Sequence, residues 1–388
     1  MDVKALLLIA APGAASGERL GGVPLALLPV LGRPVILHLV DHLLRFGIDG
    51  VAAISETVPA PYGRAAQRPG VRWVQSGNYG NVWRAAEAAF NELAQAGTDL
   101  VLALRVGAYA ELDFEQLVQF HLDQRNRVTA VEDSDGPLDI FVISASRRND
   151  AAYMFRHKLA SFRSPCGRFR FSGYTNRLRH AGDLRRLASD SFAGKTHILP
   201  AGSQIKPGVW VEDGARIHHG ARILAPAFVG AHSKVRAAVV LTRGAVIEHH
   251  CQIDCGTVVE DASVLPYTYL GAGLDLSHAV AGFRRVIHLH RNVAVEINDP
   301  KLVGMAPATA PMRALAAAAS LASFLPRQFL RGLFAPSQRE PLTELPAAVQ
   351  SPPPSLQAPA AATESAASEA DPSKFPANLV VARRYGDQ

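Results

Sequence analysis

The chain contains three cysteines, at 166, 251 and 255, too few and too unevenly spaced for a disulfide framework. No apolar run approaches the roughly 18–20 residues that cross a bilayer, which argues against a transmembrane helix. The run after Lys4, ALLLIAA, ends at once on Pro12 and Gly13, so a buried strand is expected there rather than a signal peptide, and a cytoplasmic protein. The 40 basic and 34 acidic residues are scattered without a block of one sign. That excludes the basic stripe of a nucleic-acid binder and leaves phosphorylated ligands or an anionic surface. Lysine is also missing from ERLGGVPLALLPVLGRP, residues 18–34, a segment placed where many nucleotide-binding domains keep their phosphate contacts.

Apolar periodicity is plentiful. Alternation predicts strands over 4–11, 50–55, 73–75, 99–104 and 139–144, and helices over 35–46, 82–95 and 113–124. On the first helix Ile36, Leu39, Val40, Leu43 and Leu44 share a face, and Gly47 follows as a C-terminal stop. This alternation implies a mostly parallel sheet with helices on both faces.

From Leu199 the period becomes six. Positions 199, 205, 211, 217, 223, 229, 235, 241, 247, 253, 259 and 265 are all Leu, Ile or Val. Four residues after most of them stands a small side chain: Ser203, Ala215, Ala221, Ala227, Ser233, Ala245, Cys251, Thr257, Ser263. Such hexads build a parallel β-helix, with the aliphatic residue inside and the small one at the tight corner. Three hexads make one coil, so residues 18 apart stack at the strand spacing of ~4.8 Å. His232 is then expected over His250, Arg243 over Asp261, and Arg236 between His218 and Asp254, the last two as charge ladders on a solvated wall. Aspartate at Ile217 is expected to cost several kcal/mol.

Specific segments follow in a familiar order. KALLLIAA leads into PGAASGERL, then VPLALLPVLGRP and VILHLVDHLLRFGIDGV. SGNYGNVWRAAEAA, TDLVLALRVGAYAELDFEQLVQFH and FSGYTNRLRHAGDLRRL come later, ahead of the hexads. Over roughly residues 3–300 this resembles the nucleoside-diphosphate-sugar pyrophosphorylases (sugar-phosphate nucleotidyltransferases), which join a nucleoside triphosphate to a sugar 1-phosphate. The corresponding family pieces are G-x-G-T-R-L, P-K-P-L-L-P-V-x-G-K-P, a loop ending in L-G-T-A, a strand ending in G-D, and G-Y-W-x-D-I-G-T-P-E-x-Y-L.

The resemblance implies an α/β fold: a Rossmann-like nucleotidyltransferase domain over 1–192, then a left-handed parallel β-helix over 193–304. A helical amphipathic segment over 305–334 and a Pro/Ala-rich disordered tail over 335–388 complete the chain. Within that segment 312–334 sets Phe329, Leu330, Leu333 and Phe334 opposite Arg327 and Arg331, a face for docking on the β-helix or for peripheral membrane contact. The expected partners are a nucleotide, sugar nucleotide or sugar phosphate, and further copies of the chain.

The family neutralises the triphosphate with backbone amides, an arginine, a lysine and a divalent ion held by two aspartates. Arg19 matches the arginine. Leu25 or Ala26 stands in place of the lysine, Gly107 and Arg177 in place of the aspartates, and Pro12 in place of a loop glycine. A pseudoenzyme that binds a sugar nucleotide, a sugar phosphate or a protein partner is therefore expected, with no catalytic residue, metal ligand or cofactor, Mg²⁺ entering only in an active enzyme. Gly17, Arg19, Gly80, Asn81 and Arg177 are the expected ligand contacts. Glu111, Asp113 and Asp139 are the acids nearest for a displaced metal, although Asp113 suits a helix cap better. Three alternatives remain: an active sugar-1-phosphate nucleotidyltransferase with displaced groups, a hexapeptide acyltransferase using a wall histidine such as His232 or His250, and an oligomeric scaffold. Cys251 is expected to pack inward and Cys255 to be exposed and unactivated.

Overall fold

The computed structural model describes residues 1–9, 19–55, 70–79, 81–159, 167–306 and 383–384. Seven strands form the first sheet: β1 (Val3–Ile9), β2 (Gly50–Ser55), β3 (Val71–Gln75), β4 (Leu100–Arg105), β5 (Val128–Asp133), β6 (Gly136–Ser144) and β7 (Gly167–Arg170), in the order β7-β5-β6-β4-β1-β2-β3. β6 runs antiparallel to both neighbours, and the other four pairings are parallel. The fold is mixed α/β.

Period-two alternation splits β1 between two cores. Leu6 and Leu8 face α2 (Val82–Gln95) and α4 (Arg148–Arg156), whereas Ala5, Leu7 and Ile9 face α1 (Val35–Arg45), α3 (Phe114–Asp123) and α5 (Ala181–Phe192). Along α1, Ile36, Leu39, Val40 and Leu43 are buried, but Leu44 is more than one-third exposed. A helical face about 100° wide admits the first four and leaves the fifth on its rim. Asn81 Oδ1 accepts the Arg84 amide at 2.9 Å, and an Asp113 carboxylate oxygen accepts the Gln116 amide at 3.0 Å. Both are N-caps, satisfying amides that have no partner within the helix.

After α5 the chain visits three sheets in rotation. One holds β8 (Ser203–Lys206), Val209–Val211, Ala227–Val229, Ala245–Ile247, Ser263–Val264 and Ala279–Gly282. The other two begin with Arg216–Ile217 and Arg222–Ile223. Val229 pairs with Ile247, Val235 with Ile253 and Leu241 with Val259, each parallel and 18 residues on. These aliphatics are at most 2% exposed, as expected for an interior column.

Two expected register positions fail. Leu199 and Ile205 are 77% and 53% exposed, because β8 turns back antiparallel on Val209–Val211 and no coil forms around them. Leu265 is not the interior residue of its turn. Ile247 pairs with Val264, 17 residues on, and the later turns keep that spacing. One residue fewer at the corner beyond Glu260 moves Val264 inward and turns Leu265 outward.

Outward is where the two regions meet. Phe228, Val246, Leu265, Val280 and Ile287 belong to the same buried cluster as α1, α3 and α5, and Phe192 stacks on Trp210 with ring centroids 5.7 Å apart. Arg185 on α5 donates to Gly244 O at 2.6 Å and to Asp261 at 2.6 Å. Asp261 also accepts from His278 Nδ1 at 2.5 Å, while Arg243 pairs with Glu260 at 2.6 Å. The expected Arg243–Asp261 ladder is therefore replaced: Asp261 binds across to the α/β region. No helix among the described residues is long and apolar enough to cross a membrane. The segment 312–334 and the tail over 335–382 and 385–388 lie outside the described residues.

Candidate functional site at the carboxyl ends of β1 and β4

From β1 the strand order runs one way through β2 to β3, and from β4 the other way through β6, β5 and β7. The reversal lies between β1 and β4, and ligands of open α/β sheets bind beyond the carboxyl ends at such a point. The loop leaving β1, residues 10–18 with Gly17, lies outside the described residues, as does Gly80. Arg19 is placed by its backbone, in the ribbon Arg19–Leu20 against Val23–Pro24.

Beyond β4 come Val106 and Gly107. Val106 N donates to Leu8 O at 2.9 Å, and Gly107 O accepts from Leu178 N at 3.1 Å, tying β1, β4 and the α5 approach together. A Cβ built on Gly107 meets nothing within 4 Å. A β-carbon has room there, so contact at that atom does not impose the glycine.

Two ion pairs stand beside it. Arg105, the last residue of β4, pairs with Asp139 of β6. Arg177 pairs with Asp133 of β5, and its guanidinium also donates to Gly136 O at 2.9 Å and Pro137 O at 3.3 Å. Asp133 further accepts from the Asp135 amide at 2.8 Å and from Thr175 Oγ1 at 3.2 Å. Burial pushes the Asp133 carboxyl up, but Arg177 and the Asp135 amide outweigh it and hold the group below the ordinary carboxylate range. At Asp139 burial wins over Arg105, and the pKa is raised. The sign differs because Asp133 collects three donors and Asp139 leans mainly on one guanidinium.

The remaining candidates separate. Asn81 and Asp113 cap helices. Glu111 accepts from Tyr109 OH at 2.9 Å, from His197 N at 2.6 Å and from His197 Nδ1 at 2.5 Å. That leaves it committed to the junction after α5. The position where the resemblance implies a lysine is filled by core: Leu25 and Ala26 are each 2% exposed within the turn Leu25–Leu27. An ammonium there would lose its hydration without a partner.

The divalent ion that the resemblance implies does not fit these residues. The positions where the resemblance implies ligands hold Gly107 and an Arg177 locked on Asp133; of the acids close by, Asp133 and Asp139 are each held by an arginine, Glu111 by Tyr109 and His197, and Asp113 by the Gln116 amide. Among the described residues no three His, Cys, Asp or Glu side chains converge in a metal-holding arrangement.

On the coil, the His232 and His250 rings pack at a tilt of 50° with centroids 5.0 Å apart, and His250 stacks in turn on Tyr267 at 5.1 Å. The Nδ1 atoms of His249 and His250 lie within hydrogen-bond distance, 3.2 Å apart. Cys251 is buried, its thiol donating to Leu265 O at 3.1 Å, and Cys255 is exposed.

Sequence reasoning missed Glu248. It is 1% exposed, and its carboxylate accepts the Leu31 amide at 2.9 Å and the Gly32 amide at 3.0 Å. Gly32 has φ +94°, and any Cβ there would lie within 3 Å of Ala201, Glu212 and Phe228, so glycine alone fits beneath the coil. Glu248 and Glu212 lie two turns apart with Gly230 between them in sequence register. An acid repeating at twice the coil period was the available signal. The chain matches no family model, and no curated protein matches it.

Proposed function

We propose that the chain is a catalytically silent nucleotidyltransferase-type protein of sugar-nucleotide or surface-polysaccharide metabolism, working in the cytoplasm. On this reading the three-sheet region is a left-handed parallel β-helix. A sugar nucleotide or sugar phosphate is held beyond the carboxyl ends of β1 and β4. The observation that carries the reading is Arg177 locked on Asp133 where the resemblance calls for a metal-binding aspartate. A fixed guanidinium–carboxylate pair fills the place of a mobile ion. The buried Leu25–Leu27 turn in place of a lysine and the open space before Gly107 support it.

Without the lysine and the two metal carboxylates, the charge that develops as pyrophosphate leaves loses the cations that would stabilise it beyond Arg19 and the backbone amides. Binding needs less, because backbone amides and shape can hold a sugar nucleotide without completing the transition-state set. Thermal shift and calorimetric titration with UDP-glucose and dTDP-glucose, in Mg²⁺ and in chelator, test the reading. A pyrophosphate-release assay with nucleoside triphosphates and glucose 1-phosphate runs beside them. Equal affinity in both buffers and no pyrophosphate are expected. Pyrophosphate formation or Mg²⁺-dependent binding would show an active enzyme, and no binding of either compound would remove the ligand half of the proposal.

A further inference from the structure

The aliphatic hexad pattern extends further than the coil it builds. Leu199 and Ile205 keep the pattern but stand in solvent, and the first turn above them is incompletely covered. Val211, Ile217 and Ile223 are half-buried, whereas their successors Val229, Val235 and Leu241 are buried. Two sheets end here on strands with no described neighbour beyond them, Arg216–Ile217 and Arg222–Ile223, and the third ends on β8, all four residues of which are exposed. This end therefore combines open strand edges with apolar side chains, a combination natural proteins cover or block.

The opposite end is finished differently. The antiparallel strands Arg285–His288 and Val293–Glu296 extend the β8 sheet, and Val303–Met305 closes the sheet that begins with Arg216–Ile217. The third sheet still ends there on Asp275–Ser277, but a second copy stacked head-to-tail would have to pair three open sheet ends with an end at which two are covered. Only open end against open end matches, and that contact is its own two-fold mate and stops at two.

We propose that the β8 end of the coil is a homodimer surface on which β8 pairs antiparallel with β8 of a second copy. A short strand with no described neighbour beyond it satisfies its outward amides and carbonyls through a two-fold axis with no change of sequence, the residue on the axis facing its own copy. Leu199 and Ile205 of both copies then cover the half-buried Val211, Ile217 and Ile223. The inference is independent of any ligand at β1 and β4.

Sedimentation equilibrium of the full chain across low micromolar concentrations tests it, together with Ile205→Lys, Leu199→Lys and, as a remote control, Leu122→Lys on α3. The expected result is twice the chain mass for the wild type and the control, and at least a tenfold weaker dimer for each of the other two. Circular dichroism verifies that the variants are folded, and because the replaced side chains are already exposed, both should be. A wild type at the chain mass, or a dimer that tolerates both Ile205→Lys and Leu199→Lys, overturns the proposal.

Discussion

The carboxylate of Glu248, on the coil, accepts the main-chain N–H of Leu31, in the segment that precedes α1, at 2.9 Å. With the Gly32 amide as second donor, this one side chain joins the coil to the lysine-free segment 18–34. Burial pushes its pKa up to about 8; the Gly32 and Leu31 amides oppose the rise and Glu212 adds to it. The folded state thus holds this proton more tightly than the unfolded chain, whose glutamate releases it near 4.5. The stability Glu248 contributes is complete below that value and is lost as pH rises toward about 8. Glu248→Gln keeps one acceptor, leaves one amide facing an NH₂ group, and removes the titration. Its cost should be roughly 1–3 kcal/mol at pH 5 and shrink by pH 9. Urea denaturation at both pH values measures this, and a gap that stays constant contradicts it.

The histidines work in the opposite direction. Burial, helped by His250 and His232, lowers the His249 pKa to about 4, and burial and His232 lower that of His250. The folded state binds fewer protons than the unfolded chain between about 4 and the ordinary 6.5, so stability rises with pH across that window and is lost on acidification. His249→Phe keeps a ring against Tyr267 and removes the buried base. Melting temperature followed from pH 7 down to pH 4 should fall less steeply in this variant than in the wild type. Parallel slopes would place the acid sensitivity elsewhere.

What the sequence made legible follows from the range of each interaction. α2 matched its expected bounds, 82–95, because apolar spacing and an Asn cap are local signals. The coil was legible because its repeat is written in consecutive residues. The shift to 17 was hidden because Val264 and Leu265 are both aliphatic, so losing one residue left the pattern apparently whole. β5 and β7 were missed: Glu132, Asp133, Arg168 and Arg170 make them polar, and their pairing is settled by neighbours distant in sequence. Arg177 was singled out from the sequence because it departs from the pattern that the resemblance implies. Its partner Asp133 lies 44 residues away, and no periodicity connects the two, so its use as an internal ion pair rather than a free phosphate contact emerged only from the fold.

Burial along the hexad column predicts a gradient of tolerance to aspartate. Ile253 has no exposed surface, Ile217 in the first turn is half-buried, and Ile205 is 53% exposed. Ile253→Asp should cost more than about 4 kcal/mol and prevent cooperative folding, since the new carboxyl finds no donor inside the coil. Ile217→Asp, expected from sequence alone to cost several kcal/mol, should cost less than Ile253→Asp because the side chain can turn toward solvent at the open end. Ile205→Asp, measured at concentrations where the chain is monomeric, should stay within about 0.5 kcal/mol. Denaturation midpoints for the three variants decide it, and equal losses at Ile217 and Ile253 would mean that the first turn is closed.

The Arg177–Asp133 pair can be tested apart from any ligand. The Asp133 side chain is 6% exposed and that of Arg177 is 17% exposed, so removing one partner strands the other charge in a poorly hydrated place. Arg177→Met and Asp133→Leu should each cost roughly 3 kcal/mol. Arg177→Lys should also lose stability, because an ammonium cannot reproduce the planar fork that reaches Asp133, Gly136 and Pro137 together. In the double variant the stranded charge is gone, and apolar side chains replace both partners. Its loss should therefore fall well short of the sum of the single losses, by 2 kcal/mol or more on the order expected for directly coupled residues. Chemical denaturation of the four proteins closes the cycle. Strict additivity would mean that Arg177 is not spent on Asp133 and is free to meet a phosphate.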